Sequence, residues 1–137
     1  RETEPDGTPS EGRRVLIASA LVVHVGNGAA ASAVDAIARD DPDTAAASAR
    51  RARTWMPWSY EPWQLLGEAQ LARGEDAAAA ASLRRAAGRD PGQWSVWYDL
   101  ALAARGPERV NALTRARELN PRSVEVSDLA ADISRDP

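Results

Sequence analysis

The chain has 137 residues, a formal charge of −3 and no cysteine, which removes disulfides, thiolate nucleophiles and cysteine metal sites. All 17 basic residues are arginine, so lysine Schiff-base chemistry and a P-loop are excluded, and the net acidity gives no sequence-wide basic field for nucleic acid. The apolar content, 44% of residues, is mostly alanine without phenylalanine, which favours closely paired helices over a sheet sandwich.

Residues 1–14 are polar and rich in proline, glycine and charge, and read as a disordered linker. The chain begins with Arg1 rather than Met, as a fragment or a processed product would. Residues 15–34 carry no formal charge with His24 neutral, and two readings compete for them. Their length matches the roughly 20 residues of a membrane span. The preferred reading is an apolar helix over 15–25, a break at Gly26-Asn27-Gly28, and then the first helix of a repeat. Arg13 and Arg14 precede this stretch, but Arg39, Arg50, Arg51 and Arg53 follow it, so the positive-inside rule assigns no orientation.

The repeat is read from Trp63 and Trp97, which lie 34 residues apart, as do Pro57 and Pro91. From Trp63 the pattern runs through Leu66, Gly67, Gln70, Ala79, Leu83, Ala86 and Pro91. Trp63 and Leu66 form one helical stripe, and Ala79, Leu83 and Ala86 form another at i, i+4, i+7. Gly67 and Ala79 remove bulk where paired helices approach to about 8–10 Å. Gly74 and Gly106 break the helices. Stepping back by the same period places Ala29, Ala33, Ala36, Ala45, Ala49 and Ala52 on the pattern, with Asp41 and Pro42 opening the second helix of an alanine-rich first unit.

Three units are therefore predicted, over about 26–59, 60–93 and 94–123. In the third, each helix segment is expected to lose two residues, and Ala112, Leu113, Ala116 and Leu119 face inward. Residues 123–135 form a capping helix with Val126, Leu129, Ala130 and Ile133 on its inner side. Trp55, Trp58 and Trp94 fall in the turns between units, where they either staple adjacent hairpins or form an exposed patch.

Few residues point to catalysis. His24 is the only histidine and lies in an apolar run. Asp40-Asp41-Pro42-Asp43 lacks the glycine and terminal glutamate of a calcium loop, and helix termination and capping account for it. Glu61 and Glu68 could be imagined as a glycosidase pair, but Glu61 also suits the start of a helix. The arginines at 50, 51 and 53 suit a helix C-terminus. No catalytic residue, cofactor or metal ligand is assigned.

From about Asn27 to Arg122 the chain resembles the tetratricopeptide repeat family on the motif residues above. The resemblance implies an all-α, TPR-like α-solenoid of about three helical hairpins plus a C-terminal capping helix, acting as a non-catalytic scaffold for a protein or peptide partner. By position, the family's groove implies Asn27, Val34 and Ile37, then Glu61, Gln64, Glu68 and Leu71, then Ser95, Tyr98, Leu102 and Arg105. Without lysine, a carboxylate clamp built from lysines and asparagines is not expected. The run WMPWSYEPWQLLGEAQLARG at 55–74, with WYDLA at 97–101 and LNP at 119–121, is also similar to the C-terminal repeat tail of actinobacterial O-antigen ligase or polymerase type membrane proteins. That likeness implies a regulatory or accessory tail, membrane association through residues 15–34, and catalysis in a polytopic part outside this chain.

Overall fold

A computed structural model of the chain describes residues 11–135. These form seven α-helices: α1 (Glu11–Ala38), α2 (Pro42–Trp55), α3 (Glu61–Ala72), α4 (Asp76–Arg89), α5 (Trp94–Ala103), α6 (Gly106–Leu119) and α7 (Val124–Arg135), with no strand among the described residues. Short turns fold each helix back on its predecessor. The first helices of successive hairpins, α1, α3 and α5, also touch one another. They line the inner face of the predicted α-solenoid, while α2, α4 and α6 form its outer row.

The first unit is built from alanine. Ala29, Ala33, Ala36, Ala45, Ala49 and Ala52, all placed by the 34-residue step, are buried, five of them with no exposure at all. Each buried methyl contributes only about 0.8 kcal/mol. Close approach of α1 and α2 must therefore supply the rest through dispersion contacts. Gly26 belongs to that approach: a Cβ on it would lie 2.5 Å from Met56 Cγ. This corrects the expected break at Gly26-Asn27-Gly28, because α1 runs continuously from Glu11 and its glycine serves packing rather than termination. Residues 11–14, expected as linker, are its first turn; residues 1–10 lie outside the described residues.

That continuity also bears on the membrane reading. Window 21–38 of α1 is apolar enough to cross a membrane by length and composition. Yet Ala29, Ala30, Ala33 and Ala36 are buried in the protein core, so a span over 15–34 would dismantle the first hairpin.

The turns are closed by backbone geometry. Gly74 adopts φ 73° and Asp40 takes φ 57° at the corresponding place one repeat earlier. Aspartate is among the few side-chain-bearing residues that enter this left-handed region. The same bond closes both turns, Asp41 N–H to the Ala36 carbonyl and Glu75 N–H to the Gln70 carbonyl, each 2.9 Å. Asp41 caps α2 as expected, accepting from Thr44 N–H at 3.1 Å, with proline in the first turn.

The third unit is shortened differently from the expectation. α5 has 10 residues against 12 in α3, but α6 keeps the 14 residues of α4. The loss falls on the end of α5 and the turn, because Gly106, at φ 58°, itself opens α6. Full length in α6 is needed to place Leu113 and Ala116 in the core as Leu83 and Ala86 are placed in α4. α7 then packs Val126 and Leu129 inward. Ser123 caps it by accepting from Val126 N–H at 3.2 Å.

In the central unit, Gln70 stands buried where an aromatic is usual. With its amide nitrogen toward α4 it donates to Ser82 Oγ (2.7 Å) and to the carbonyls of Ala78 (3.1 Å) and Leu66 (3.3 Å). Trp63 is buried, whereas Trp97 is only half-buried and bridges two parts of the core. Trp94 begins α5 rather than lying in a turn, and packs at a tilt 6.4 Å from Tyr98. Trp55 and Trp58 are exposed.

The depth of α3 against α4 rests on Gly67, where an added Cβ would come within 2.5 Å of Leu83 Cγ and 2.8 Å of its Cδ2. Gly67→Ala is expected to cost about 1–3 kcal/mol through overpacking. Urea unfolding should show a lower midpoint at unchanged slope; an unchanged midpoint would mean that Gly67 does not set the helix separation.

Candidate functional site

The inner face changes character along its length. Where α1 meets α3, the equivalents of Gln64 and Asp99 are Ala30 and Leu65, both buried and apolar, while those of Glu68 and Ser95 are Val34 and Glu61, both exposed. Where α3 meets α5, the corresponding positions are polar. Gln64 and Glu68 lie one turn apart on α3, and Ser95 and Asp99 one turn apart on α5, so each pair makes a stripe. The Gln64 amide donates to Asp99 Oδ2 at 2.7 Å and to Ser95 Oγ at 3.2 Å.

Glu68 and Asp99 lie close enough across this seam for each to shift the other's titration. Burial, followed by the Asp99 charge and the hydrogen bond to it, pushes the Glu68 carboxyl up to about 7. Burial pushes Asp99 up to about 6, against the opposing hydrogen bonds from Gln64 and Glu68. Two adjacent carboxylates cannot both ionise cheaply in a place withdrawn from water. Near pH 6 to 7 the pair therefore carries one proton between its two carboxyls. The Tyr98 hydroxyl is held above its ordinary value by burial and by the charges of Asp99, Glu125 and Asp128.

The structure distributes the sequence-predicted residues unequally. Gln64, Glu68 and Ser95 come together at the seam, with Tyr98 half-buried beside Trp94. Asn27 and Val34 are exposed on α1, Leu102 is exposed on α5, and Glu61 is exposed at the start of α3. Ile37 and Leu71 are half-buried against the core. Arg105 lies beyond the end of α5, because that helix stops at Ala103, and its guanidinium bonds Asp76 at 2.8 Å. Asp99 was missed by the sequence reading. A 34-residue step carries Gln64 to Tyr98 and Glu68 to Leu102, which are not the seam partners, because contact across the seam joins residues 31 and 35 apart. The i, i+4 pairing of Ser95 with Asp99 was the available signal.

With this geometry in view, comparison with known proteins becomes informative. A family model described as tetratricopeptide repeat matches residues 36–105, half of the chain. The chain belongs to the tetratricopeptide repeat family. Such repeats generally mediate protein–protein interaction and are typically non-catalytic scaffolds. No curated protein sequence matches the chain. Among solved structures, it is similar to a chain described as Thermobaculum terrenum O-GlcNAc transferase mutant K341M, with 26% identity and a TM-score of 0.69. The similarity covers 74% of this tetratricopeptide chain and 20% of that one.

The raised carboxyls link stability to pH. Glu68 binds its proton more tightly folded than at its ordinary value of 4.5, so its contribution is complete below about pH 4.5 and is lost as pH rises through about 7; Asp99 follows the same sign from 3.8 to about 6. The thermal midpoint should fall across this interval, by the equivalent of roughly 3 kcal/mol for Glu68 alone at about 1.4 kcal/mol per pKa unit. Glu68→Gln, which keeps the shape and removes the titration, should flatten most of that slope. A parent protein equally stable at both ends of the interval would contradict the shared proton.

Proposed function

We propose that this chain is a non-catalytic scaffold that holds a peptide segment of a partner protein along its inner face. The observation that carries this reading is the Gln64–Asp99–Glu68 cluster between α3 and α5. It offers acceptor oxygens at a junction where the equivalents of Gln64 and Asp99 one unit earlier are the buried Ala30 and Leu65. Glu125 and Asp128 extend the acidic character toward α7, so the fitting segment is cationic. Val34, exposed on α1, and Leu102, exposed on α5, supply apolar contact beside it. Asn27, Ile37, Glu61 and Leu71 complete the proposed surface, while Arg105 serves the turn through Asp76.

An oligolysine peptide titrated calorimetrically is expected to bind, and an oligoglutamate of equal length is not. The Glu68→Gln, Asp99→Asn double variant should weaken binding about tenfold, since a hydrogen bond to a charged group is worth about 1.5–3 kcal/mol. Affinity for the cation should rise as pH passes from 6 to above 7, because both carboxyls then ionise. Equal affinity for both peptides, or a double variant that binds like the parent, would refute the site.

A second reading, that the chain is the accessory tail of a membrane protein of the O-antigen ligase type, is favoured by α1, which continues N-terminal to Gly26 beyond its packing against Met56. Leu21 and Val23 are exposed there. Flotation of the full chain with lipid vesicles, lost in a Leu21→Asp, Val23→Asp variant, is the expected outcome under this reading. A parent chain that stays out of the vesicle layer would remove it.

A further inference from the structure

The outer row carries two crevices that are repeat equivalents. One, of about 330 Å³ between α2 and α4, is lined by Arg50, Arg53, Trp63, Leu66 and Arg85 among others. The second, of about 550 Å³ between α4 and α6, places Arg84, Ala87, Trp97 and Leu100 at the corresponding positions 34 residues on, with Glu108, Asn111 and Ala112 along α6. The floor of each is thus a tryptophan and a leucine from the first helix of the unit.

What covers the tryptophan differs. Over Trp63 stand two guanidinium groups, Arg53 at 4.5 Å and Arg85 at 4.9 Å from the ring centroid. Over Trp97 there is none among the described residues, and two substitutions between the units account for it. Ala87 stands where Arg53 stood. The counterpart of Arg85 is Arg115, 30 residues on in the shortened unit, and it is drawn away to Glu118 at 3.0 Å. The residue at the Glu118 position in the earlier unit is Gly88, which cannot compete for Arg85. The Trp97 ring is held in place by its indole N–H, which donates to the Pro91 carbonyl at 2.9 Å.

We propose that the crevice over Trp97 is a docking site for an arginine side chain presented by a partner protein. The sister crevice supplies the chemistry: a planar cation stacked on indole, attracted by the ring quadrupole. Guanidinium stacks on an aromatic face better than a strongly hydrated ammonium does. At the rim Glu108 takes Arg84 through two bonds of 2.5 and 2.7 Å, so the local arginine is neutralised and turned to α6 rather than onto the ring. Asn111, one turn further on α6, adds an amide oxygen. This site is on the opposite face from the Glu68–Asp99 seam and stands or falls separately from it.

The test is NMR of the full chain, reading the Trp97 indole N–H while acetyl-arginine amide is titrated into the millimolar range, with acetyl-leucine amide as the control. A saturable shift of Trp97 with arginine, and a smaller one with leucine, is expected. Ala87→Arg should fill the crevice in cis and abolish the shift. Glu118→Ala, an exposed change that leaves the core alone, should weaken it by releasing Arg115 toward the ring. Leucine shifting Trp97 as much as arginine does, no saturable shift with arginine, or a Glu118→Ala chain binding like the parent would each overturn the proposal.

Discussion

Helix α3 lies at its observed depth against α4 because Gly67 presents no Cβ to the fully buried Leu83. The same economy recurs in the first hairpin, where Gly26 admits Met56 and a column of alanines brings α1 and α2 together. Small residues at the contact turn weak hydrophobic content into close packing, since dispersion falls steeply with any gap. The carboxyls of the seam between α3 and α5 are half-buried, and ionising both there is costly.

That constraint sets up a tension between stability and recognition. One proton held between Glu68 and Asp99 removes their repulsion, while Gln64 bonds across the seam to Ser95 and Asp99. The ionised pair is better matched to a cation and worse matched to the closed fold. Stability and binding strength then run in opposite directions with pH, as expected of a polar site kept inside a packed junction. The outer row shows a related economy with charge. Arginines there stack on Trp63 or pair with acids of the next hairpin, as Arg84 does with Glu108 and Arg105 with Asp76. Individually such exposed pairs contribute little, and their value lies in fixing where side chains point.

Most of the fold was legible because the repeat fixes which residues face inward. Six alanines located only by stepping back from Trp63 all proved buried. What periodicity could not supply was the meaning of individual glycines. Gly26 resembles a helix break in sequence, yet inside the helix it answers to Met56, a contact 30 residues away. Gly106 was read as a separator but opens α6 itself, which moved the shortening onto α5. The site was half legible: Gln64, Glu68 and Ser95 were found by position, while Asp99 escaped. The contacts across the seam join residues 31 and 35 apart, so a 34-residue step passes them by.

The account turns on a shared proton in the α3–α5 seam, and side-chain carboxyl titration by carbon NMR measures it directly. Glu68 should titrate near pH 7 and Asp99 near pH 6, each sensing the other. If both carboxyl signals complete their titration at the ordinary carboxylate values of 4.5 and 3.8, the seam is open to water and the account is wrong.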